Sequence, residues 1–519
     1  MKEEKAMRKF MCLIIVWLAV IYPLAAKSQS PINYEELDNY IRNAFKDHDF
    51  TGMTISIVKD GSVVFSQAYG LRNAKAKKAM TTGSLFNIAS CTKAFSAACL
   101  GILVDEGKLK WEDKVIDYMP EFRLADPYIT KELNMIDLLS HRCGLGTFYG
   151  DLLWYETDYD NKEIIKRMRY LPITNDFRSE FGYQNNMYMI SGEIVKKITG
   201  KTWSEFVYER IFKPLEMVES KTCSEHLTKD QNIAYPHLKR KTQRLYMSGP
   251  DPAGTIYSSV DEMSHWITML LNNGKWKGQQ VLSPSVIEEL FTSRTLLALV
   301  PFQKENGIHF SAYGLGWFMY DYSGKKVIEH SGGMPGFLSR VTLVPEERLG
   351  MVILTNDSNY LRNAVRMKVL DLFLNDSDKD WSAEFLEMKK KNEAAAEERK
   401  AERKAKRAKE SKPSLTLAEY TGNYEDKMYG PARIELVDGE LWLTLLPAKE
   451  VFVSKMEHWH HDTFRIKFRD EFLPEGFVTF SFDSNGEVIG FKIDLPNPDF
   501  HFFNLDFQKQ DNRVKQRKE

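Results

Sequence analysis

Alternating apolar and polar positions flank the pair Asp60-Gly61: Thr54 to Val58 on one side and Ser62 to Ala68 on the other. An Asp-Gly pair between two alternating runs predicts a β-hairpin. Downstream, Asn87 to Leu103 is small and apolar on every side, with Lys93 the one charged residue among them. A segment with no polar stripe predicts a helix buried all round, and Gly107 supplies its stop. Leu133 to Leu139 predicts a short helix running into the turn-rich loop Ser140 to Gly146. Met187, Ile190, Ile194 and Ile198 recur at helical spacing up to Gly200, which leaves Tyr183 and Asn185 on the loop that feeds this helix.

A loop from Asp251 to Ser259 precedes a predicted helix from Val260 to Leu271, and Gly314 to Tyr320 reads as the start of a strand. Further strands are expected at Lys326 to His330, Ser339 to Val344 and Gly350 to Thr355, followed by an amphipathic helix from Leu361 to Phe373. Strands at both ends of this region with helices between them predict one sheet closed by N- and C-terminal strands, with a helical lobe inserted. From Glu387 to Lys412 the chain turns to Lys, Arg, Glu and Ala with no apolar stripe, which reads as a solvated helical spacer. Past Pro413, short alternating runs are punctuated by Asp438-Gly439 and Asn485-Gly486, the pattern of a small all-β domain.

A chain of 519 residues, 43% apolar and 12% aromatic, has material for two to three domains with large cores. Lys+Arg 71 against Asp+Glu 72 leaves a net charge of -1, so no whole-chain field draws nucleic acid or an anionic membrane. The N-terminus carries Lys2, Lys5, Arg8 and Lys9, then an apolar run from Phe10 to Ile21, then small residues around Ala26 and Ser28. That order is a secretory signal, cleaved to release a periplasmic or secreted protein; an uncleaved anchor is the alternative, and this segment is the one membrane contact expected. Five cysteines, Cys12 among them in the signal, are too few and too scattered for a disulfide framework. The expected division is a signal at 1–28, a main domain at 29–385, a charged helical linker at 386–413, a β-domain at 414–510 and a polar tail at 511–519.

Ser90 and Lys93 stand one helical turn apart in the apolar segment. Burial disfavours the ammonium form of a lysine, so a buried Lys93 can take the proton of a neighbouring hydroxyl and make Ser90 a nucleophile. Acyl transfer also needs a proton donor and donors for the oxyanion. Tyr183 and Asn185 offer a phenol and a carboxamide, and His330-Ser331-Gly332-Gly333 offers a polar group followed by glycines where backbone can approach a substrate.

Ser90-x-x-Lys93, Tyr183-x-Asn185 and His330-Ser331-Gly332, in this order, resemble the serine β-lactamase and penicillin-binding-protein superfamily in its class C-like branch. Leu138 to Leu145, Pro252 to Ser258 and Tyr313 to Trp317 add to the resemblance, which covers roughly residues 35 to 380. It implies an α/β (α+β) fold: an antiparallel sheet flanked by helices beside a helical lobe, with the active site between. It implies that Ser90 attacks the carbonyl, that Lys93 and Tyr183 move the proton, and that Asn185 orients Lys93 or the substrate. The backbone N–H groups of Ser90 and Gly333 would form the oxyanion hole, with Ser331 and Gly332 against the substrate. No cofactor or metal is implied, and the partner is a small ester, amide or peptide. His330 stands where related β-lactamases carry a lysine, which disfavours substrates with a carboxylate. Tyr420-x-Gly422-x-Tyr424 and Glu457 to Phe464 resemble the lipocalin-like β-barrel appended to such hydrolases. His458 and His460 would share one face of a strand there and are read as a polar face, not a metal site. The reading is a secreted serine hydrolase, with an acyltransferase to an alcohol acceptor or a penicillin-binding receptor without turnover as alternatives. Homo-oligomerisation is left open.

Overall fold

The computed structural model describes residues 32–228, 230–245, 251–358, 360–375 and 377–510. The signal segment and the polar tail expected from sequence lie outside them.

Helix α1 (Tyr34–Asp47) opens on the Asn33 side chain, which accepts hydrogen bonds from the Glu35 and Glu36 N–H groups. The predicted hairpin follows as β1 (Gly52–Lys59) and β2 (Ser62–Asn73). Among the described residues, these join Lys78–Ala79 (β3), Thr295–Leu296 (β4), Ser311–Tyr313 (β5), Phe318–Tyr322 (β6), Lys325–Met334 (β7), Phe337–Val344 (β8) and Leu349–Thr355 (β9) in one nine-stranded sheet of order β4-β5-β6-β7-β8-β9-β1-β2-β3. The late strands therefore lie against the first hairpin, with β9 antiparallel to β1, as the sequence pattern predicts.

Both faces of the central strands are covered, and the alternation of side chains decides which residue goes to which face. Met53, Ile55 and Ile57 of β1, with Met351 and Ile353 of β9, pack on α1 and on α5 (Leu361–Leu374). Val58, Val352 and Leu354 point the other way, into the core of the helical side. That core holds α2 (Thr92–Asp105), α3 (Asn185–Thr199) and α4 (Val260–Leu271). Every side chain of α2 from Thr92 to Leu103 is buried, as expected of a helix without a polar stripe. Phe95 stacks on Trp266 of α4 with ring centroids 4.2 Å apart.

Three local expectations change. Asp251–Gly254 is a single helical turn, not open loop. Gly314 to Trp317 turns between β5 and β6, with Gly316 at φ +84°, so the strand begins only at Phe318. The charged segment is part of α6 (Trp381–Ala405), which starts inside the main domain. Trp381 and Phe385 are buried beside Phe302, and Trp381 Nε1–H donates to Asp371 Oδ2 at 2.6 Å. The far end of α6 is docked as well. Arg403 pairs with Asp494 at 3.0 Å and lies over the Phe477 ring, and Arg407, just beyond, lies over Trp459. Composition hid this, because arginine stems and guanidinium faces pack on aromatic rings without any apolar stripe.

The C-terminal domain is a closed antiparallel barrel whose eight strands, among the described residues, run from Gly422–Asp426 to Asp506–Lys509. Its interior is an aromatic core that includes Tyr420, Tyr424, Phe464, Phe480, Phe491 and Phe507. A bulge between His458 and His460 breaks the strand face they were expected to share, and His458 Nε2 meets the His461 carbonyl oxygen at 2.9 Å. The barrel sits on the helical lobe. Tyr155 Oη donates to Asp470 Oδ2 at 2.6 Å, Tyr159 Oη donates to the Tyr429 carbonyl at 2.8 Å, and Phe500 stacks on Tyr155 at 3.9 Å between centroids.

The first turn of α6 is core and its middle is surface, which yields a test by unfolding of the whole chain. Trp381→Ala, which empties a fully buried site, is expected to cost about 3–5 kcal/mol, whereas Lys400→Ala on the exposed middle should stay within about 0.5 kcal/mol. Equal midpoints for the two variants in thermal or denaturant unfolding would refute the anchoring role of Trp381.

Candidate active site

Ser90 belongs to a single 3-10 turn, Ala89–Cys91, that leads into α2. Ala89 has φ +46°, an unusual conformation for a residue with a side chain. Its N–H is held by Asn87 Oδ1 at 2.7 Å, and the turn is clamped to β7 and β8 because Cys91 Sγ lies 3.3 Å from the His330 carbonyl and 3.3 Å from Ser339 Oγ. Backbone strain of this kind persists where the surroundings over-determine it, and it is found next to reacting groups. Ser90 is half-exposed to a cavity of about 550 Å³.

Lys93 is wholly buried behind Ser90. Its Nζ lies 3.1 Å from Ser90 Oγ, 2.6 Å from Asn185 Oδ1 and 2.9 Å from the Ala253 carbonyl oxygen. Burial lowers its pKa to about 7, against an opposing pull from the Asp151 charge. A neutral amine has two N–H bonds and one lone pair. The two carbonyl-type oxygens accept the two N–H groups, so the lone pair is left facing the Ser90 hydroxyl.

Asn185 opens α3, and its orientation follows from its neighbours. Its Oδ1 accepts an N–H of Lys93, and its Nδ2–H donates to Asp151 Oδ2 at 2.6 Å. Asp151 is buried, and burial raises its pKa to about 7, while the nearby Trp154 indole, the hydrogen bond from Asn185 and the charge of Lys93 pull it down. Tyr183 packs at a tilt on His141, with centroids 4.3 Å apart, and its ring centre is 4.8 Å from Lys93 Nζ. Burial pushes its phenol well above 10, so it holds its proton at neutral pH; the nearby Ser90 hydroxyl acts in the opposite sense.

His330 is buried beneath the cavity floor. Its Nδ1 must carry the proton, because it faces the Ser331 carbonyl oxygen at 2.7 Å; Nε2 therefore accepts from Tyr313 Oη at 3.0 Å. Burial, reinforced by the charge of Lys93, lowers its pKa to about 3, and the ring is neutral at working pH. Ser331 and Gly333 line the cavity. Gly332 does not. It is buried against the nucleophile turn, where a Cβ would come within 2.4 Å of the Ile88 carbonyl and 2.3 Å of Ser339 Oγ, so its part is close approach of strand to turn. Arg362 fixes the same spot by donating to the Gly332 and Ser339 carbonyls. The structure thus gathers Ser90, Lys93, Tyr183, Asn185, His330, Ser331 and Gly333 around one cavity, with Gly332 behind it.

Two supporting residues escape a reading of the sequence. His141, at φ +58°, accepts the Gln184 N–H on Nδ1 at 3.0 Å and the Gly182 N–H on its carbonyl at 2.8 Å, so it holds the segment that carries Tyr183 and Asn185. Asp151 sits in a 3-10 turn far from Asn185 in sequence, and no spacing rule connects the two.

A family model described as Beta-lactamase matches residues 37–375, and one described as a domain of unknown function (DUF3471) matches residues 406–509. An unguisins hydrolase from Aspergillus campestris is 27% identical over 406 residues, 73% of this chain and 73% of that protein. Penicillin-binding protein 4* from Bacillus subtilis is 24% identical over 334 residues, 60% of this chain and 68% of its own length. The solved structure of the octameric penicillin-binding protein homologue from Pyrococcus abyssi shares the fold with a TM-score of 0.58 at 22% identity, covering 92% of this chain and 100% of that one.

The Lys93–Asn185–Asp151 chain predicts a pH effect with a fixed sign. Neutral Lys93 is the proton acceptor, so the rate at which a fluorophosphonate labels Ser90 should rise as pH passes the Lys93 pKa of about 7. Asp151→Asn keeps an acceptor for Asn185 Nδ2 but removes the charge that supports the ammonium form. The rise should therefore move to lower pH. A profile that stays in place or moves upward would break the link between Asp151 and Lys93.

Proposed function

The chain belongs to the beta-lactamase family, and on that premise we propose that it is an exported serine hydrolase that forms an acyl-enzyme at Ser90 on small esters or amides lacking a carboxylate near the reacting carbonyl. The observation that carries this reading is a wholly buried amine, with a pKa near 7, 3.1 Å from a serine hydroxyl that faces a cavity. In the first step the Ser90 proton passes to the Lys93 lone pair as Oγ bonds the carbonyl carbon. The oxyanion that forms is met by the N–H groups of Ser90 and Gly333. Tyr183, protonated because burial raises its phenol, gives its proton to the departing oxygen or nitrogen and recovers one from Lys93. Water then attacks the acyl-serine by the same steps in reverse, and Ser90 regains its proton.

Asn185 and Asp151 serve as positioning residues in this scheme. They hold the amine in line with Ser90 and stabilise the ammonium it becomes. The hydrolase name of the Aspergillus campestris relative supports turnover over a stalled acyl-enzyme. The charged and then apolar N-terminus supports export. The neutral His330 and the lack of an accessible lysine or arginine among the described lining residues support the discrimination against carboxylates.

A fluorophosphonate probe should label Ser90, and Ser90→Ala and Lys93→Ala should each lose roughly a thousandfold or more of turnover while staying folded. Uncharged esters should exceed carboxylate-bearing β-lactams in kcat/KM by roughly tenfold to a hundredfold, the worth of a missing charge-assisted hydrogen bond. Adding alcohol acceptors to the same assay reports acyl transfer as a new ester product. Labelling at another residue would remove the Ser90 assignment, and faster turnover of β-lactams than of every uncharged ester would reverse the substrate preference.

A further inference from the structure

The barrel does more than cover the helical lobe: Phe472, Leu473, Asn497, Asp499 and Phe500 form part of the reaction cavity's wall. This wall is fixed in place. Phe500 stacks on Tyr155, His501 meets Tyr149 edge-on at 5.5 Å, and Asn497 Oδ1 accepts the N–H groups of Asp499 and Phe500, both at 2.9 Å. The turn Asn497 to Phe500 thus presents Asp499 to the cavity as a rigid element.

The charge of the cavity is lopsided. Among its described lining residues the ionisable carboxyl groups are Asp151 and Asp499, with no lysine or arginine. Lys93 lies beneath the surface with its amine enclosed, and His330 is neutral. Asp151 is buried and committed to Asn185, whereas Asp499 is exposed and, among the described residues, its carboxylate has no hydrogen bond or ion pair; partial desolvation raises its pKa, and the His501 imidazole is its one favourable electrostatic neighbour. The two carboxyl groups are close enough for Asp499 to push the Asp151 pKa further up. Around them stand Phe148, Trp154, Tyr155, Phe181 and Phe318. A cavity whose wall carries a carboxylate without an ion-pair partner, together with aromatic walls, attracts a cation with an apolar body and repels an anion.

We infer that the barrel supplies a recognition site for an ammonium group, in which Asp499 binds the amine of an amine-bearing ester or amide while the aromatic wall takes its apolar part. The site rests on the reading of Ser90 as the nucleophile and names the substrate class for it. It also assigns the barrel a part in specificity. The chemistry at Ser90 is set by the main domain, and the charge of the accepted substrate is set by a residue 409 positions further along the chain, counted from 90 to 499.

The test uses the full-length protein and three aryl esters with one apolar acyl skeleton, carrying a free α-amine, its N-acetyl form or its N-succinyl form. At about pH 7 the α-amine is mostly protonated, since its ordinary pKa is about 7.7–8.0. The wild-type order of kcat/KM should be amine, then acetyl, then succinyl. Asp499→Asn should lower the amine-to-acetyl ratio roughly tenfold, chiefly through KM, and Asp499→Glu should restore most of it. Asp499→Lys should raise the succinyl ester above the amine. The amine advantage should also shrink with added salt. A ratio unchanged by Asp499→Asn, or a wild-type preference for the acetyl ester, would overturn the proposal. Fluorophosphonate labelling of Ser90 is followed in parallel: its absence takes down the nucleophile assignment itself, whereas labelling with a flat ratio overturns the ammonium site alone.

Discussion

The structure depends on one unfavourable act, the complete burial of a lysine amine. Taking a charged ammonium out of water is costly enough that the group gives up its proton instead. Lys93 sits in a helix with no polar face, inside the core between sheet and lobe, and has no solvent-exposed surface. A neutral amine held 3.1 Å from Ser90 follows from the same packing that stabilises the fold. The core and the reactive centre therefore cannot be separated: loosening α2 would hydrate Lys93, return its proton and switch off the base.

That constraint explains the surrounding polar residues. A buried amine needs acceptors for its hydrogens, and Asn185 and the Ala253 carbonyl supply them. Asn185 in turn needs an acceptor, and Asp151 supplies it. His141 fixes the segment that carries Tyr183 and Asn185, and Arg362 fixes the strand that carries His330 and Gly332. Each member gives a hydrogen-bond partner to the next, so the buried chain holds the site in one arrangement. Glu329, next to His330 on the motif strand itself, is held in a similar way: burial alone would raise its pKa, but Arg340 and Arg366 hold it down at about 2.

Much of this was legible in the sequence because it is periodic or local. The Asp-Gly hairpin, the helix without a polar face and the alternating strands of the barrel each leave a pattern within a dozen residues. The three motifs also mark the residues gathered at the cavity, because Ser90 and Lys93 lie one helical turn apart and Tyr183 and Asn185 stand at the entry to a helix, Asn185 as its first residue and not on the loop expected from sequence. What escaped is non-local. Asp151 meets Asn185 across 34 positions, Ala89 and His141 are strained by contacts that no propensity encodes, and Gly332 is a spacer because of where Ile88 lies in space. The charged run after Glu387 is helical and mostly exposed, as its composition reads, but its docking on the barrel left no signal. It has no apolar stripe, yet Arg403 and Arg407 pack on barrel aromatics, and the helix that carries it is anchored upstream by Trp381.

The same distinction bears on how a fold of this kind changes its substrate. The groups that make Ser90 reactive lie in a network where each member is buried and hydrogen-bonded to another, so substitution there disturbs both stability and proton transfer. The barrel residues at the cavity are different. Asp499 is exposed, lies on a four-residue turn held by its own Asn497 cap, and is tied to the lobe through Phe500 and Tyr155. Its replacement alters charge at the cavity without opening the core. Carrying the reactive network on one domain and part of the cavity wall on another lets the first stay fixed by packing while the second varies. A rigid dock between the two is then a requirement, and the buried bond from Tyr155 to Asp470 meets it.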